Sequence, residues 1–191
     1  MNSTDPVVLN SVRRWFEKAV LGLNLCPFAS RPYREGSIHF ALSHAIDDEA
    51  CLGDLYTNLR KMEQDSAIET MIMICPHHLS CFEEYNQFLA LAELLLEQQG
   101  WAGIFQIASF HPDYCFDGAQ PEDRANWTNR SPFPLLHLIR ESSISRIIDS
   151  NTNVEKIPQN NIEKLKALDF AAMREIFGHH FEQSAEKNRP Q

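Results

Sequence analysis

The sequence predicts an α/β fold: a three-stranded, mainly parallel βαβαβ core with an N-terminal helix and C-terminal helices packed on it. Three observations support this. Short apolar runs at 37–43, 70–75 and 104–109 are separated by two stretches whose apolar residues recur every three to four positions. The connections are short, and strand, helix, strand in that order implies right-handed crossovers. At 191 residues, with 43% hydrophobic and 23% charged residues, the chain has material for one core and little room for a second. Residues 1–178 are therefore assigned to a single domain and 179–191 to a polar, frayed tail.

Asp5 and Pro6 open the first helix, whose apolar face carries Val8, Val12, Trp15 or Phe16, Ala19 and Leu23. Gly22 and Asn24 end it. Ile38, Phe40 and Leu42 alternate with His39 and Ala41, as in a half-exposed strand. Asp47 or Asp48 caps a helix built on Leu52, Leu55, Leu59 and Met62. The run TMIMIC at 70–75 is apolar throughout, which suits a central strand covered on both faces. Ser80 and Glu83 have capping-box spacing, and Gly100 sits where that helix should stop.

With the strands in order 1-2-3, both crossover helices fall on one face. The first helix and everything beyond residue 131 must cover the other. Ser131-Pro132 is expected to open a helix through Leu138. Ile157-Pro158 is expected to break the chain before a last helix capped by Asn161 and closed by Gly178. The crossing from 109 to 133 has no period, yet it carries Phe110, Tyr114, Phe116, Trp127 and Phe133. A disordered linker is poorer in aromatics, so this loop is expected to be packed and functional.

A net charge of -9 argues against nucleic acid and anionic membrane as partners. No apolar run approaches the roughly 20 residues of a membrane span, and the N-terminus lacks the order of a secretory signal. Five cysteines, odd in number and without a framework, favour the cytoplasm. Oligomeric state is left open.

Three clusters carry candidate chemistry. If the strands are parallel, His44, His77 or His78, and His111 gather at the carboxyl edge of the sheet, where a zinc or iron ion would meet three imidazoles. Cys75, Cys81, Asp113 or Cys115 are possible replacements for one ligand, and the plainer alternative is that exposed loops collect histidine. Cys26, in the apolar stretch LNLCPF, is a nucleophile or a pocket wall, with inert packing favoured. Arg130, with Asn126, Asn129 and Ser131, would anchor a small anion, unless the arginine ties the long loop to its own carbonyls. Arg124 is a further candidate. His137, Arg140 and Glu141 stand at helical spacing as one polar face, either substrate-binding or solvated. For Asp113, Asp117, Glu122 and Asp123 turn chemistry outweighs acid/base work. No Walker loop, GxGxxG, GxSxG or HExxH occurs.

Three stretches, GLNLCPFA at 22–29, SFHPDYCF at 109–116 and NRSPFP at 129–134 with HLIRE at 137–141, resemble a bacterial family known as domain of unknown function 1415. The resemblance runs from the first helix to about Phe177. The family has no established activity, so it implies membership without a mechanism and marks the Cys26, His111 and Arg130 segments as its signature. The leading expectation is an enzyme or small-molecule-binding protein with an anion-accepting pocket at the carboxyl edge: Arg130 as anchor, His111 as acid or base, Cys26 as nucleophile or wall. The alternatives are a metal-dependent enzyme using His44, His77 or His78 and His111, and a non-catalytic interaction module using the aromatic loop 109–133.

Overall fold

The computed structural model describes residues 5–148, 154–178 and 181–182. Helix α1 (Asp5–Trp15) passes directly into a π-helical turn, Phe16–Leu21. The wide ladder continues past it, with Gly22 N–H bonded to the Glu17 carbonyl at 2.9 Å and Leu25 N–H to Val20 at 3.0 Å. Glycine is required at 22 because a Cβ there would lie 2.4 Å from the Lys18 carbonyl oxygen. A short helix α2 (Ser30–Glu35), not anticipated from the pattern, follows and ends at Gly36 with φ +69°.

Then come β1 (Ile38–Leu42), α3 (Asp48–Gln64), β2 (Thr70–Ile74), α4 (Phe82–Gln98) and β3 (Phe105–Phe110). Asp47 caps α3 by accepting from Ala50 N–H at 2.8 Å. The expected Ser80/Glu83 capping box does not form: α4 starts at Phe82, so Cys81 holds the cap position and Ser80 lies one residue too early.

The main departure is at 135–140. The expected helix is a strand, β4 (Leu135–Arg140), inserted between β2 and β3, so the sheet order is β1-β2-β4-β3. β1 and β2 are parallel, and β4 is antiparallel to both of its neighbours. The core is thus a mixed four-stranded sheet with one parallel pair, not a three-stranded parallel one. The physical reason lies in Leu135–Arg140: Leu135, Leu136 and Leu138 are buried, and a short apolar run between two strands pairs its backbone on both sides. Pro134 extends the ladder by accepting from Cys75 N–H at 3.0 Å. Because β4 reverses twice, β1, β2 and β3 still point the same way and share a carboxyl edge.

After β4 come α5 (Glu141–Ile148), a 3-10 turn (Val154–Lys156), α6 (Ile157–Ala167) and α7 (Phe170–Phe177). Ile157-Pro158 opens α6 instead of breaking the chain, since proline in the first turn lacks only an N–H that has no helical partner. The single last helix expected from Asn161 divides at Leu168-Asp169, where Asp169 caps α7 by accepting from Ala172 N–H at 2.8 Å. Of the expected tail, residues 179, 180 and 183–191 lie outside the described residues. Phe181 packs on Trp127 with ring centroids 5.1 Å apart. No described helix is long and apolar enough to cross a membrane.

Strand alternation divides the core in two. Met71, Met73, Leu136, Leu138 and Phe105 face α3 and α4, so both crossover helices lie on one face, as the handedness rule requires. Ile72, Ile74 and Leu135 face α1, the π turn and the C-terminal helices through Val12, Phe16, Leu165 and Met173. That second layer is incomplete: His137, Ile139 and Ala108 are half-buried and Gln106 is exposed.

Gly22→Ala is expected to destabilise the fold by at least about 1 kcal/mol in urea unfolding, the usual range for forced overpacking. A neutral result would show that the π turn yields without cost.

Candidate functional site

The gap in the second layer is a cavity of about 240 Å³. Its sheet wall is one rung of the ladder, Ile38, Thr70, Ile139 and Gln106 side by side across the four strands, with His137 from the next rung. The remaining wall comes from Cys26, Phe28 and Ala29 in the turn after the π helix, Pro32 of α2, and Ser143 and Ile144 of α5. Asn161 holds that turn in place, donating from Nδ2 to the Leu25 carbonyl at 2.6 Å.

His137 is the chemically distinctive group. Its Nε2 lies 2.6 Å from Thr70 Oγ1, and the Thr70 hydroxyl lies 2.8 Å from the Leu138 carbonyl oxygen. A hydroxyl has one proton, and the carbonyl can only accept. Both contacts are therefore satisfied when Thr70 donates to Leu138 and His137 Nε2–H donates to Thr70. Nδ1 is then the acceptor, and no described residue donates a hydrogen bond to it. Burial drives the His137 pKa down to about 4, so the imidazole is neutral at pH 7. The ring is deep in the protein, and its partial exposure is to the cavity.

Cys26 is half-buried. Burial pushes its thiol pKa up, partly offset by hydrogen bonds from the Phe28 and Ala29 backbone, so the thiol stays protonated at neutral pH. Among the described residues, Glu69 is the one charged side chain on the cavity wall.

The other sequence candidates sit elsewhere. His111 is fully buried between Phe82 and Tyr85, with centroids at 5.2 and 5.1 Å. Its Nε2 is 3.0 Å from the Leu79 carbonyl and its Nδ1 accepts from Asp113 N–H at 3.0 Å, so both nitrogens are engaged. Burial lowers its pKa and keeps it neutral. Arg130 is buried and donates to the carbonyls of Tyr114 at 3.1 Å and Pro121 at 2.7 Å, its guanidinium 4.9 Å from the Trp127 ring. Asn126 accepts from Phe116 N–H at 3.0 Å and donates to Gln120 at 2.8 Å. Asn129 donates to the Ser109 carbonyl at 3.1 Å and Ser131 to Phe133 at 2.6 Å. Arg124 donates to the Leu165 and Leu168 carbonyls. The packed loop expected at 109–133 is present, and these side chains hold it together.

The shared polar face of His137, Arg140 and Glu141 does not exist, because in a strand His137 and Arg140 point to opposite sides of the sheet. Arg140 instead bonds the carbonyls of Met62, Asp65 and Ile68, closing the end of α3. At the carboxyl edge His44 and His77 stack at 6.2 Å, His44 lies 3.6 Å from Asp5, and His78 pairs with Asp48 at 2.7 Å. Among the described residues no group of three or more His, Cys, Asp or Glu is placed to hold a metal ion.

Thr70, Gln106, Glu69 and Ser143 are cavity residues that the sequence did not single out. Strand register, unknown from sequence, brings Thr70 and Gln106 together, and the chain on either side of the strands adds Glu69 and Ser143.

This geometry, a mixed sheet with an open patch on one face, belongs to a chain of the family described as protein of unknown function (DUF1415), whose model matches residues 7–175. The chain is a member of that family. No curated protein and no solved structure matches it.

The folded His137 pKa lies below its ordinary 6.5, so the unfolded chain binds the extra proton first on acidification. Its stabilising contribution is whole above pH 6.5 and is lost as pH falls toward 4, by up to about 3 kcal/mol less screening by cavity water. His137→Phe should lose less stability than the parent between pH 7 and pH 5 in urea titrations, and equal slopes would contradict the assignment. Arg130→Met should cost about 3 kcal/mol, because two buried carbonyls lose their donor. A fully stable variant would mean the loop does not depend on it.

Proposed function

We propose that this chain binds a small, uncharged molecule in the cavity between the His137 face of the sheet and the Cys26 turn. The observation that carries the reading is His137 itself: a neutral ring on a cavity wall, its tautomer fixed by Thr70, with Nδ1 open to a ligand's hydrogen-bond donor. Apolar walls with a few convergent polar groups are the usual composition of a ligand pocket. Thr70 positions the ring, Gln106 and Ser143 add polar contacts, and Cys26 serves as wall because its thiol stays protonated. The same Nδ1 is a base for a ligand O–H or N–H.

An anion anchored by Arg130 is less favoured, since that guanidinium bonds loop carbonyls. The five free thiols support a reducing, cytoplasmic setting.

Thermal-shift screening of uncharged small molecules tests this. Hits should stabilise the parent by mass action. They should lose that effect in His137→Phe and in Cys26→Phe, which narrows the cavity. Hits restricted to anions and abolished by Arg130→Lys would contradict it.

A further inference from the structure

Resting on that reading, we infer that the ligand is an amphiphile: an uncharged polar head at the Thr70 rung and an unbranched apolar tail running along the sheet toward Ile74. The polar wall groups, Thr70, Gln106, Glu69 and Ser143, all belong to the first cavity. Beyond its far wall, formed by Cys26, His137 and Ile139, lies a second recess of about 100 Å³. That recess is floored by Ile72, Leu135, Phe110 and Ala108 and backed by Trp15 and Phe16, so among the described residues His137 and Cys26 supply its side-chain heteroatoms, together with the Trp15 indole N–H, which already donates to the Arg130 carbonyl at 3.0 Å.

A third cavity of about 300 Å³ shares Val20, Cys26 and Phe110 with the recess. Cys26 therefore borders all three spaces, and its small side chain is the partition most easily turned aside. The rungs from Thr70 to Ile74 cover about 13 Å at the usual rise per residue. Polarity thus falls along the path, from a polar mouth to an apolar depth. Apolar recesses of this kind bind hydrocarbon in place of water.

Ala108 makes the space. In edge strand β3 it stands opposite His137 on β4, where a larger residue would fill the recess. The neutral groups of the wall set the head group: Gln106 and His137 offer hydrogen bonds that a ligand hydroxyl meets without a charge being buried, whereas a carboxylate would have to give up its hydration.

The probe is a series of straight-chain primary alcohols titrated against the full chain and against Ala108→Leu, with Ala108→Val as the milder variant should the first not fold. Dissociation constants for the parent should tighten about fourfold per added methylene, the burial value for one such group, until the recess is full. In the Ala108 variants the gain should stop at shorter chains, while short alcohols bind as they do to the parent. Carboxylates of matched length should bind more weakly than the alcohols.

Short alcohols that bind through His137 with no gain from length would overturn the tail while leaving the proposed cavity function standing. A length dependence unchanged by Ala108→Leu would place the tail elsewhere and overturn the inference too. No binding by any alcohol, together with no uncharged hit in the screen, would remove both.

Discussion

The structure depends on one pairing: β4 lies antiparallel between two strands, with His137 in register with Ile72 of β2 on one side and Ala108 of β3 on the other. That insertion turns a row of ordinary residues into a wall. It sends Leu136 and Leu138 into the closed core beneath α3 and α4 and leaves Leu135, His137 and Ile139 on the incompletely covered face. Tyr85 reinforces the start of the strand. Its hydroxyl donates to the Leu135 carbonyl at 2.7 Å and accepts from Phe110 N–H at 3.0 Å, so one buried group joins β4 to β3.

The long loop before β4 follows from this arrangement. A strand that must run back from the carboxyl edge needs a connection that stays at that edge, and a buried connection must find partners for its own carbonyls. Arg130, Asn126 and Asn129 supply them, and His111 fastens the loop to the Leu79 carbonyl. Its aromatic content has the same origin: Trp127 closes against Phe177 at 4.8 Å and receives the Arg130 guanidinium on its ring face, making the loop part of the core beneath the C-terminal helices. The residues most suggestive of chemistry in the sequence thus satisfy backbone.

Local pattern was enough for much of the fold. The periodic faces of α1, α3 and α4, the Asp47 cap, the buried strand at 70–74 and the common direction of the first three strands are all set by near neighbours in the chain. β4 was not legible. LLHLIR is apolar in both periods, two prolines just before it resemble a helix opening, and its place between β2 and β3 is a contact between distant segments. The site was legible by half for the same reason. Cys26 and His137 stand out as residue types, whereas Thr70, Gln106 and Ser143 acquire meaning only from register and from the turn of chain into α5.

The central claim is that His137 is a neutral ring, bonded through Nε2 and open at Nδ1 on the wall of a cavity. Long-range proton–nitrogen NMR of the His137 ring across pH reads this directly. The account predicts the Nε2–H tautomer, persisting unprotonated to below pH 5, with the Nδ1 resonance moving when an uncharged donor ligand is added. A ring that titrates near 6.5, or that carries its proton on Nδ1 while neutral, would contradict it.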